Sequence, residues 1–233
     1  MTIPANLQAV QQAIASAAQA AGREPGSILL LAVSKTFGAD AVIAAADAGQ
    51  QAFGENYLQE AVDKIEAVLQ LRPDLQLEWH FIGPLQSNKT RPVAEHFDWV
   101  HAVDREKIAQ RLSDQRPAHL PPLNICLQVN VSGEASKSGV TPAELPALAH
   151  AVNSMPHLKL RGLMAIPEPA QTEAEQRVPF AQLRLLQQQL AAEGIPTDTL
   201  SMGMSADMGA AIAEGANIVR IGTAIFGKRT YAS

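Results

Sequence analysis

The sequence predicts an α/β protein built as a single (β/α)8 TIM barrel with an extra N-terminal helix, spanning residues 1–233 as one domain. Three observations carry that reading. Short apolar runs alternate with helical patterns along the whole chain, and the strand candidates number eight. The strongest run, Ile28 to Val33, is apolar without alternation, as in a parallel strand covered on both faces. The length of 233 residues suits one closed barrel better than an open doubly wound sheet.

The elements follow in order. Leu7, Val10, Ile14 and Ala17 or Ala18 recur at helical spacing, so residues 6–21 read as an amphipathic helix with Asn6 as a possible cap and Gly22 as its stop. The Ile28–Val33 strand then runs into Ser34-Lys35. Ala39 to Ala48 is a helix closed by Gly49, residues 51–56 form a short strand, and Tyr57 to Leu71 is helical. Strands at 78–83 and 98–103 are followed by helices around Lys89–His96 and Arg105–Gln115. The Pro-rich link 116–122 resembles a domain boundary, but the pattern resumes beyond it, which makes it a loop. Strands at 123–131 and 158–166 precede helices at 143–153 and 180–192. The last strands, 199–203 and 217–222, flank a helix at 206–214.

A hydrophobic fraction of 47% with 18% charged residues marks a globular chain, and a net charge of −5 argues against a partner held by its nucleic-acid backbone. The single cysteine, Cys126, lies in an apolar run and reads as a buried, inert thiol. The start carries no signal-peptide pattern and no run of 18 apolar residues occurs, so a soluble, cytoplasmic protein without membrane partners is expected. His96 and His101 stand too far from other ligand types to make a metal site, and none is expected.

Chemistry in such a barrel belongs at the carboxyl ends of the strands. Strand parity puts Leu29, Leu31, Val33 and Lys35 on one face, and a partly desolvated amine there loses its proton more readily and attacks carbonyls. The same lysine also reads as a residue reaching water from a strand end. Ser201-Met202-Gly203-Met204-Ser205-Ala206-Asp207 and Arg220-Ile221-Gly222-Thr223 leave the last two strands as small, hydroxyl-bearing turns. Turns of that kind present free N–H groups to an anion, or merely cap helices. With Lys35 they describe a site for a phosphorylated aldehyde.

The ordered motifs Ala32-Val33-Ser34-Lys35, Phe53-Gly54-Glu55-Asn56-Tyr57, Trp79 to Lys89, Gly162 to Pro167, Ser201 to Met208 and Val219 to Gly227 span most of the chain. In them the sequence resembles the pyridoxal phosphate homeostasis family, whose barrel is similar to that of bacterial alanine racemase (fold type III). The resemblance implies pyridoxal 5'-phosphate as cofactor, carried by Lys35 as an internal aldimine. It implies that Ser205, Gly222 and Thr223 hold the phosphate, that Arg220 faces the pyridine nitrogen, and that Asn56, Met164 and Ser201 complete the cofactor-binding set. A guanidinium cannot accept a proton, so Arg220 would leave the ring nitrogen unprotonated and weaken the cofactor as an electron sink.

Read as residues, Asn56 either bonds the ring oxygen or caps the next helix, Met164 packs the wall, and His80 is a satisfied core histidine or an acid–base group. Ser132 to Gly139 is a polar loop that fails as a nucleotide loop, since Ser136 precedes Lys137 where a glycine should stand. Its Lys137 is either solvated or helps move the aldehyde on and off Lys35. The expected function is a non-catalytic carrier that hands the cofactor to apo-enzymes, working as a monomer. The rivals are a racemase or other fold type III enzyme, disfavoured because Tyr57 and Tyr231 match no catalytic position, and an aldolase-like barrel using Lys35 on a sugar phosphate.

Overall fold

The computed structural model describes residues 2–133 and 138–228. Eight parallel strands close into a barrel in sequential order. They are β1 (Leu29–Val33), β2 (Ala52–Glu55), β3 (Glu78–Phe81), β4 (Trp99–Val103), β5 (Leu123–Gln128), β6 (Leu158–Met164), β7 (Thr199–Ser201) and β8 (Ile218–Ile221). The closing seam joins β1 to β8 from Leu29↔Ile218 through Leu31↔Arg220 to Ala32↔Ile221, which brings the first and last strands side by side. The helices are α1 (Ile3–Ala20), α2 (Ala39–Asp47), α3 (Leu58–Leu71), α4 (Thr90–His96), α5 (Glu106–Gln115), α6 (Leu145–Asn153), α7 (Glu173–Ala192), α8 (Met208–Ala213) and the single turn α9 (Thr223–Phe226).

The absence of alternation in the strands follows from two apolar layers. Leu31, Val33, Ala52, Ile82, Trp99, Cys126, Met164 and Ile218 fill the barrel interior. Leu30, Ala32, Phe53, Phe81, Val100 and Val219 point the other way, into the layer under the helices. Each large side chain so buried contributes about 1.5–3 kcal/mol, so both layers stabilise the closed form. Leu29, at the amino-terminal end of β1, is partly exposed.

Most element ends shift by a residue or a few from the sequence reading, and three of the differences bear on the argument. Helix α1 begins at Ile3, with Thr2 as its N-cap and proline in the first turn. Asn6 is therefore not a cap; its Nδ2 donates to the Ile225 carbonyl at 2.9 Å and ties α1 to α9. Helix α7 begins at Glu173, seven residues before the expected Phe180, because Thr172 and Glu175 form a capping box; Pro179 lies within the helix. The segment 173–179 is largely exposed and lacks the apolar period that marks a helix. Strand β5 ends at Gln128, and Val129 continues only as an isolated bridge to Val140. Among the described residues no helix is long and apolar enough to cross a membrane.

Candidate functional site

Lys35 stands half-buried two residues beyond β1, in a turn that its neighbours hold from behind. Thr36 has φ 70, a left-handed conformation that a β-branched residue adopts only when its surroundings enforce it. Its N–H donates to Glu60 Oε1 at 2.6 Å. On the other flank the Ser34 hydroxyl donates to Glu55 Oε1 at 2.6 Å, and Lys64 Nζ donates to the Ser34 carbonyl at 2.8 Å. Lys64 also bonds Glu55 Oε1 at 2.6 Å and Glu60 Oε1 at 3.0 Å. Ser34, Glu55 and Lys64 are buried. Burial pushes the Glu55 carboxyl above its ordinary range, partly offset by Lys64 and Ser34. One ammonium thus clamps the residues on both sides of Lys35.

The anion-type turns lie at the same end of the barrel. After β7, Gly203 has φ +96, and a Cβ there would stand 2.6 Å from Ala211 Cβ. Asp207 Oδ1 accepts from the Met204 N–H at 2.6 Å, shaping the turn that leaves Ser205 exposed. After β8, Gly222 is the N-cap of α9 and Thr223 its first residue. A Cβ on Gly222 would lie 3.0 Å from the Val33 carbonyl oxygen, so the turn sits directly against the end of β1. Phe37 and Phe226, with ring centroids 5.3 Å apart, hold the two exits together beyond it. The Ile225 and Phe226 N–H groups both donate to the Gly222 carbonyl, so only the leading N–H groups of Thr223 and Ala224 are left for an anion.

Beneath the mouth, Arg220 is buried inside the barrel and does not leave it for solvent. Its Nη1 donates to the Ser201 carbonyl at 2.7 Å and to Ser201 Oγ at 2.8 Å, and its Nη2 to the Ala165 carbonyl at 2.9 Å. Burial pulls its pKa down to about 10, so it stays charged at neutral pH. Ser201 is fully buried, with its hydroxyl also 2.8 Å from His101 Nδ1. Met164 packs the interior wall. Asn56 follows β2, and its Oδ1 is a buried acceptor with no partner. The cap reading of Asn56 fails, because Tyr57 holds the N-cap position of α3 and no side chain caps it. The close approach of Gly83, where a Cβ would meet the Asn56 carbonyl oxygen at 2.3 Å, fixes this segment.

Of the sequence-derived set, then, the seam brings Lys35, Gly222 and Thr223 to one edge of the mouth. Arg220, Ser201 and Met164 form its floor, while Asn56 and Ser205 flank it on the turns after β2 and β7. His80 is fully buried and bonded at both ring nitrogens, as a satisfied core histidine. Lys137 and Tyr231 lie outside the described residues. Sequence reasoning missed Lys64 and Glu55. The signal was there: Lys64 falls between Ala61 and Val68 at helical spacing, on the buried face of α3.

Cys126 is fully buried, and its thiol is pushed up to about 12. The folded protein is therefore expected to resist iodoacetamide at pH 8 and to take up one label only in denaturant, as read by intact mass. Rapid native labelling would contradict this burial.

The alanine racemase N-terminal-domain profile matches residues 5–230. A pyridoxal phosphate homeostasis protein from Pseudomonas aeruginosa is 63% identical over 232 residues, covering 100% of this chain and 98% of its own. One from Escherichia coli is 57% identical, with 97% of each chain covered. The structure of PipY from Synechococcus elongatus with PLP bound matches with a TM-score of 0.83 at 38% identity, over 97% of this chain and 100% of that one. Alanine racemase from Corynebacterium glutamicum gives a TM-score of 0.69 at 19% identity, over 97% of this chain and 63% of that one, a likeness of fold.

Proposed function

The chain belongs to the pyridoxal phosphate homeostasis proteins, within the alanine racemase N-terminal-domain family, and from that membership we propose that it binds pyridoxal 5'-phosphate at the barrel mouth and serves to hold and pass on that cofactor. Lys35 is the amine that retains it. The observation that carries this reading is the β1–β8 seam, which sets the Gly222–Thr223 turn against the strand that ends beside Lys35. The residues suit the group: Gly203 and Gly222 let their turns pack tightly against Ala211 and the end of β1, and Asn56 Oδ1 is a buried acceptor in need of a donor.

The bound aldehyde supplies reversible condensation with a primary amine. The chain's own residues do the rest. Ser205, Gly222 and Thr223 offer hydroxyl and N–H donors to the phosphate, which hold the ligand when the amine lets go. Arg220 stays a donor at all working pH values and cannot protonate the ring nitrogen, which restrains carbanion chemistry and favours storage over turnover. Met164 would give the ring an apolar wall. Action as a monomer belongs to the same proposal, and the recipients are apo-enzymes that use the same cofactor.

The test is the purified protein incubated with pyridoxal 5'-phosphate, its visible spectrum recorded before and after borohydride, and the reduced peptide located by mass. A label on Lys35 is expected, together with transfer of unreduced cofactor to an apo-enzyme. A label elsewhere, or steady racemisation of amino acids by the loaded protein, overturns the reading.

A further inference from the structure

A row of polar groups crosses the barrel interior below the mouth. Glu78, the first residue of β3, puts Oε1 2.7 Å from His80 Nε2. His80 Nδ1 lies 2.8 Å from His101 Nε2, and His101 Nδ1 lies 2.8 Å from Ser201 Oγ. Ser201 Oγ accepts from Arg220 Nη1 at 2.8 Å. His80, His101, Ser201 and Arg220 are buried, whereas the Glu78 side chain is 45% exposed at the amino-terminal end of the barrel. The imidazoles are held by packing as well as by bonds. His80 stacks on Trp99 with centroids 5.2 Å apart at 6°, and the Arg161 guanidinium lies 4.6 Å from the Trp99 ring centroid.

The chemistry of the two ends fixes the direction of every bond between them. The Glu78 carboxyl is held below its usual range, first by its bond to His80, so it is ionised and only accepts. His80 Nε2 must then carry a hydrogen. Burial keeps both imidazoles neutral, and the charged groups around them, Glu78 and Asp98 near His80 and Arg220 near His101, do not reverse this. A neutral His80 with hydrogen on Nε2 accepts at Nδ1, so His101 Nε2 is the donor. His101 then accepts at Nδ1, and the Ser201 hydroxyl must give it its hydrogen. That turns the lone pairs of Ser201 toward Arg220, which can only donate. Four bonds run one way, from guanidinium to carboxylate.

We propose that Glu78, His80 and His101 are positioning residues for Arg220: their one-way hydrogen-bond chain orients Ser201 so that both hydrogens of Arg220 Nη1 stay on Ser201, leaving Nε–H and one Nη2–H for a ligand in the mouth. The chain itself is a property of the protein alone; its consequence for a bound pyridine rests on the proposed function. It connects the floor of the mouth to a carboxylate at the far end of the barrel, and the orientation of Ser201 depends on that carboxylate remaining an acceptor.

Two measurements decide it. In the cofactor-free protein with 15N-labelled histidine, long-range nitrogen–proton NMR is expected to show both His80 and His101 as the Nε2–H tautomer, unchanged from pH 6.5 to 8. An Nδ1–H tautomer at either residue, or protonation in that range, removes the one-way chain whatever the protein binds. In the protein loaded with pyridoxal 5'-phosphate, Glu78→Leu is expected to move the pH midpoint of the visible band by about half a unit or more, because Ser201 no longer presents fixed lone pairs to Arg220. Glu78→Gln keeps an acceptor for His80 and is expected to retain both the tautomers and the wild-type midpoint. An unmoved midpoint in Glu78→Leu, with Lys35 still labelled, overturns the positioning role while leaving the binding function standing.

Discussion

Lys64→Met is expected to destabilise the protein by up to about 3–4 kcal/mol at pH 7, because it removes the cation from a buried carboxylate. Lys64 Nζ stands 2.6 Å from Glu55 Oε1, and both side chains are almost wholly inaccessible. Without the ammonium, Glu55 is driven to bind a proton. From an ordinary carboxyl pKa near 4.3, protonation at pH 7 costs about 3.7 kcal/mol, which is the ceiling of the loss because burial already raises this carboxyl in the wild type. The sign with pH follows. In the variant the folded carboxyl binds a proton that the unfolded one releases, so the deficit grows as pH rises and shrinks as it falls. At pH 5 the same arithmetic leaves about 1 kcal/mol. Urea unfolding of wild type and variant at pH 7 and pH 5 checks both numbers. Lys64→Met combined with Glu55→Gln is expected to recover most of the stability, since the glutamine keeps an acceptor for Ser34 and carries no charge. A deficit independent of pH, or no recovery in the double variant, would show that Lys64 acts by packing alone.

That clamp also illustrates what a sequence makes legible. The barrel was readable because Ile28–Val33 and its counterparts bury both faces and so lose the period of two. The rim was readable because Lys35 and the turns at 203–205 and 222–223 are short local patterns following apolar runs. The start of α7 was not, since its exposed first turns rest on one capping box and carry no apolar stripe. Least visible were contacts that exist only after closure. His80 and Glu78 are two residues apart and share a face, but His101 and Ser201 are 100 residues apart, and nothing in either segment announces the other. Nor does the segment around Arg220 announce the three buried acceptors that surround it, two on Ser201 and one on Ala165.

The second large effect concerns acid. Between pH 6.5 and pH 5 the protein is expected to lose about 2 kcal/mol of stability, chiefly through His101 with His80 adding to it. Both imidazoles are fully buried, and burial holds each below the ordinary histidine pKa of 6.5, His101 well below it. The unfolded chain therefore binds protons near pH 6.5 that the folded chain refuses. Stability is full above that value and falls as pH drops below it, by up to about 1.4 kcal/mol per pH unit for each histidine. Glu55 and Asp98 work in the opposite direction, because burial raises their carboxyls and the folded state gains from their protonation. They reduce the slope, whereas carboxyls held low through bonds, among them Glu78, Asp198 and Glu214, lose their contribution only below this window. The measurement is the urea midpoint across this window for wild type and for His80→Gln/His101→Gln. The double variant is expected to be weaker at pH 7.5, having lost a fitted network, but to show a much flatter acid limb. An equally steep limb in the variant would place the acid sensitivity outside the barrel interior and would leave the neutrality of these two imidazoles without support in solution.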